Sequence, residues 1–69
     1  MTPSMTHVRQ ANDVAAQFSY LPDTQAVLAI AGHLRLFWEP RMRADLREAL
    51  QRGDEMLDPL AAAAASLLH

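Results

Sequence analysis

The sequence predicts an all-α protein, a compact bundle of three to four short helices forming a single small helical domain over residues 1–69. Three observations predict it. Apolar residues recur at spacings of three, four and seven along most of the chain, the period of helices buried on one face. Pro22, Pro40 and Pro59 each stand at an expected helix start, and proline is tolerated in a first turn but disrupts a helix interior. No alternating run of β-branched or aromatic residues occurs, nor any hairpin dipeptide such as Asn-Gly.

The first helix is expected from about Met5 to Tyr20, with Val8, Ala11, Ala15 and Phe18 on its apolar stripe. Asn12 lies within that stripe, so its amide must bond a helix end or a neighbouring side chain. Pro22 stands near the start of the second helix, which Asp23 is placed to cap. Its apolar residues are Val27, Ile30, Ala31, Leu34, Phe37 and Trp38, the strongest periodic signal in the chain. Glu39 precedes Pro40 and is pushed out of helical geometry, so the second helix stops near Trp38 and a third begins at Pro40. The junction is a corner rather than a loop. The third helix buries Met42, Leu46, Ala49 and Leu50 and ends at Gly53, which can take the left-handed conformation. Asp58 and Pro59 are a cap and a first-turn residue for a fourth helix, whose apolar face is Leu57, Leu60, Ala61, Ala64, Leu67 and Leu68. The Ala61 to Ala65 run favours helix and permits close approach of another backbone.

At 69 residues, the chain has room for one core only. So short a chain buries only about 60% of the surface its unfolded form exposes, and it needs a disulfide, a metal or a partner to be robust. There is no cysteine for a disulfide or a thiolate metal site, and His7, His33 and His69 lack paired ligand spacing. A partner remains as the source of added stability. The hydrophobic fraction of 51% argues against intrinsic disorder. A formal net charge of -2 gives no global attraction to nucleic acid or anionic membranes. With no basic segment leading into an apolar run at the N-terminus, and no stretch near the ~20 residues that span a bilayer, a cytoplasmic protein is the expectation. The ends, about 1–4 and 69, are expected to be flexible.

No catalytic constellation is legible. The chain has no cysteine nucleophile, no glycine-rich phosphate loop and no His-x-x-x-His pair, and Ser4, Ser19 and Ser66 lack an elbow-like context. His33, beside the apolar face of the second helix, is either a boundary residue or a general base. On the third helix, Arg41 with Asp45 and Glu48 with Arg52 are spaced by four and can pair, each bridge worth roughly 0.3–0.5 kcal/mol. Arg43 and Arg47 repeat the spacing with like charge, which fits a solvated basic edge or an acidic surface on another molecule.

The corner concentrates what is distinctive, including the single tryptophan. Trp38 falls on the apolar stripe and reads as a core aromatic, whereas Leu36 points away from it. Tryptophan and arginine are enriched at binding hot spots, so Leu36, Phe37, Trp38, Arg41, Met42, Arg43 and Arg47 are the candidate partner-binding residues. On that reading Arg43→Glu weakens docking with helicity intact, and Trp38→Ala damages both.

Taken together, Val8-Arg9-x-Ala11-Asn12, His33-Leu34-Arg35-x-Phe37-Trp38-Glu39-Pro40-Arg41-Met42-Arg43 and Leu57-Asp58-Pro59-Leu60 resemble the delta subunit of soluble NAD-dependent, molybdenum-containing formate dehydrogenases. The Phe37 to Arg43 string is the specific part. Gln10 and Ser19 depart from the family pattern but lie outside that string. The resemblance implies a non-catalytic accessory subunit that docks on the larger formate dehydrogenase subunits, chiefly the catalytic alpha subunit, and supports their assembly or stability. It implies no cofactor in this chain, with the molybdenum cofactor, iron–sulfur clusters, FMN and NAD carried by the partner subunits. Neither nucleic acid nor membrane is an implied partner. Two other readings stand beside it: a small helix-turn-helix DNA-binding regulator, from the arginines at the corner, and a homo-oligomer of the isolated chain.

Overall fold

The computed structural model describes the backbone of residues 3–68 and the side chains of residues 6–68. The chain forms α1 (Pro3–Gln17), α2 (Asp23–Phe37), α3 (Pro40–Gln51) and α4 (Pro59–Ala65), with no strand among the described residues. This is the all-α architecture the periodicity predicts. Of the ends expected to be flexible, Met1, Thr2 and His69 lie outside the described residues, while Pro3 and Ser4 open α1.

Each boundary has a local cause. Pro22 disfavours helical geometry at Leu21, and α1 ends before Tyr20 as its bonds tighten: Phe18 N–H donates to Ala15 at 3.1 Å and Leu21 N–H to Phe18 at 3.1 Å. Pro22 itself, at φ -53° and ψ 147°, occupies the cap position of α2, with no side-chain cap bond. Asp23 is therefore the first residue of the helix rather than its cap, and its carboxylate lies at the positive end of the helix dipole. Glu39, at φ -68° and ψ 154°, makes the corner before Pro40 as anticipated.

α3 closes on Gly53, whose φ of 69° is left-handed. Gly53 N–H donates to Leu50 O at 3.0 Å and Asp54 N–H to Ala49 O at 3.1 Å, the paired bonds that satisfy the last carbonyls of a helix. At the start of α4, Asp58 accepts from Leu60 N–H at 2.8 Å, with Pro59 in the first turn. Asn12 finds its partners across the molecule. Its Nδ2 donates to Met56 O at 2.7 Å, and its Oδ1 accepts from Asp58 N–H at 2.7 Å, so α1 holds the link that leads into α4.

Packing is interleaved: α1 lies chiefly on α3 and α2 chiefly on α4, with α1 also touching α2 and α4. Ile30, Leu34 and Leu46 are the largest fully buried side chains, and Val8, Ala11, Ala15, Ala31, Ala49, Ala61 and Ala64 complete the contact between the pairs. Alanines on α4 allow α2 to approach closely, as the alanine run suggested. Val14 and Ala26 are buried as well, outside the stripes read from the sequence. Leu67 is not a core residue: α4 ends at Ala65, the turn that follows leaves Leu67 36% exposed, and Leu68 is buried in its place.

Candidate docking surface

The corner is built from backbone bonds and then locked by one side chain. Trp38 N–H donates to Leu34 O at 3.0 Å to end α2, and Arg43 N–H donates to Glu39 O at 3.1 Å to begin α3. The Arg43 guanidinium reaches back, with Nη1 donating to Trp38 O at 2.5 Å and to Arg35 O at 3.4 Å. A cation on the last carbonyls of a helix is favoured by both hydrogen bonding and the helix dipole. Trp38 is 7% exposed, and the His7 ring lies 5.8 Å from its own. His7 Nδ1 is 3.0 Å from Asp45 Oδ2, a contact between imidazole and carboxylate that ties α1 to α3.

These contacts divide the candidate residues. Trp38 is a core aromatic, Met42 is half-buried against the core, and Arg43 is spent on the corner, so none of the three offers an open side chain. Arg43→Glu would remove the bonds to Trp38 O and Arg35 O together with any docking contact. Leu36 and Phe37 are open, at 80% and 71% exposure. The stripe position of Phe37 does not bury it, because it is the last residue of α2; its ring lies 4.8 Å from that of His33. Arg41 is exposed and Arg47 half-buried. The expected Arg41–Asp45 bridge is replaced by the contact of Asp45 with His7, while Arg52 does have a partner. His33 packs between Phe37 and Phe18, whose ring is 6.2 Å away on the other side, and it reads as a boundary residue.

A second open region was not singled out from the sequence. Leu28 is 60% exposed on the outer face of α2, and with Val27, Asp23, Thr24 and Leu67 it lines a shallow groove between α2 and the end of α4. The signal for it was present: α2 carries no charged residue between Asp23 and Arg35. Large apolar side chains on the outside of a helix mark a surface that something else can cover.

Among the described residues, no group of three or more His, Asp or Glu side chains is placed to hold a metal ion, and no helix is long and apolar enough to cross a membrane. The corner arginines that motivated a DNA-binding reading are turned inward at Arg43 and onto a carbonyl at Arg35, whose Nη2 donates to Leu67 O at 3.0 Å.

Fold and surface together define a small protein with four helices among the described residues and large apolar side chains open to solvent at Leu28, Leu36 and Phe37. Residues 7–65 match the family model described as NADH-dependant formate dehydrogenase delta subunit FdsD, and the chain belongs to that family. No curated protein and no solved structure matched the chain.

Proposed function

We propose that this chain is a non-catalytic subunit that docks on the larger subunits of an NADH-dependent formate dehydrogenase, chiefly the catalytic alpha subunit, and supports their assembly or stability. The observation that carries the reading is the pair of large apolar side chains left in solvent at the end of α2, Leu36 and Phe37. In so small a protein, such surface beside a buried tryptophan and a locked corner fits a partner better than a substrate. The family supplies the kind of complex. The oxidation of formate, the molybdenum cofactor, the iron–sulfur clusters, FMN and NAD then belong to the partner subunits. This chain has no thiolate with which to ligate an iron–sulfur cluster.

Co-purification tests the proposal. The tagged chain, expressed with the formate dehydrogenase subunits of its source, is expected to elute with them, and its deletion to lower the yield of assembled, active enzyme. Turnover of formate by the isolated chain, or elution of the chain apart from every larger subunit, would overturn it.

A further inference from the structure

Gly32 sits in the interior of α2, where glycine is among the weakest helix formers, and nothing in the molecule accounts for it. Its φ is not positive, and a Cβ built there would meet no atom within 4 Å. Neither backbone geometry nor internal packing requires the missing side chain. Gly32 lies on the same outward face as Leu28 and Leu36, four residues to either side, with Ala29 beside them. The face is therefore a strip with two leucines standing up and a flat gap between them. Such a gap suits a neighbouring backbone that approaches closely from outside.

We propose that the outer face of α2, centred on Gly32, is the docking face, and that it seats in an apolar, helix-lined groove on a larger subunit with a carboxylate at its rim. The inference rests on the subunit reading above. Size decides against a second copy of this chain. A helix of 15 residues is about 22 Å long and presents a strip about 10 Å wide, so one helix laid on its copy gives a footprint of roughly 200 Å². Stable interfaces bury about 800 Å² per partner. A groove that wraps both flanks of α2 reaches the additional surface, in the helix-in-groove manner read through anchors at such spacings. Charge sets the rim. The middle of the strip carries none, while Arg41, exposed just past the corner that ends α2, has no carboxylate within 4 Å among the described residues. An acidic side chain on the partner satisfies it there.

The test enlarges the gap. Gly32→Leu puts a side chain into open space, so the isolated variant is expected to be as helical as the parent and to melt no lower by circular dichroism. Co-expressed with the formate dehydrogenase subunits and passed over a sizing column with light scattering, it is expected to associate roughly thirtyfold more weakly or worse, the scale of a lost hot spot. A Leu28→Glu, Leu36→Glu double variant repeats the test by charge at positions already in solvent. Association of either variant at parental strength overturns the docking face but leaves the subunit reading intact. Failure of the parent itself to associate overturns both. A parental dimer that Gly32→Leu abolishes, with binding to the larger subunits unchanged, overturns the proposed occupant.

Discussion

α2 and α3 are joined by a two-residue corner, Trp38 and Glu39, yet they solve the problem of a small protein's surface in opposite ways. α3 buries Leu46 and Ala49 and covers its remaining faces with charge, and one of those charges locks the corner while another holds His7. α2 buries Ile30, Ala31 and Leu34 and leaves leucine, alanine and glycine on the side that faces away. A helix finished with charge is complete within its own chain. One that leaves large apolar side chains in solvent is stable here but fitted for a further layer.

That contrast can be broken most forcefully inside α2 itself. Leu34→Ala removes a fully buried side chain and is expected to cost about 2–5 kcal/mol in chemical denaturation, a large share of what so small a domain holds. Leu36, two residues along, is the paired measurement at the bottom of the scale. Its change to alanine should move stability by no more than about 0.5 kcal/mol while weakening association with larger subunits. Equal stability losses at the two positions would mean that α2 has no open face.

Two changes of intermediate size sharpen the comparison. Asn12→Ala strips partners from Met56 O and from the half-buried Asp58 N–H, and a loss of about 1–3 kcal/mol is expected from thermal or urea melts. Arg43→Ala frees the last carbonyls of α2, for which about 1 kcal/mol is the scale, given that the site is partly open to water. If Arg43→Ala left stability unchanged but abolished association, α3 rather than α2 would carry the docking charge. Gly32→Ala runs the other way. It is expected to stabilise the isolated chain by about 0.5–1 kcal/mol, because nothing internal opposes the methyl group.

Much of the architecture was legible because proline, glycine and short polar side chains act over one turn. Pro40, Pro59, Asp58 and Gly53 each mark the boundary that their local chemistry implies. Asn12 could be assigned a structural bond because a polar group on a buried stripe must find one, although only the fold reveals that its partners lie 44 and 46 residues away. What was not legible involves choices between near and distant partners. Asp45 has an arginine four residues before it but pairs with His7 from α1. Arg43 looked like a free cation because its bonds go to backbone carbonyls, which have no signature in a side-chain pattern. Phe37 fits the stripe by angle, and its exposure follows from its place at the very end of the helix. The outer face of α2 carries no residue that stands out in a sequence. The informative feature there is a missing one, a side chain at position 32 and any charge between Asp23 and Arg35.

The interleaving of the helices, first with third and second with fourth, also governs how the protein comes to exist. No cut between helices leaves both pairs whole: a cut after α1 or after α3 keeps one pair together and strands the other. During synthesis the second helix must wait for α4 before its main companion is available. The clasp from Asn12 to the link ahead of that companion forms at the same late moment. A nascent chain arrested after Gly53 thus holds the α1–α3 pair but lacks the main companion of α2, and α2 should be the part most open to proteases.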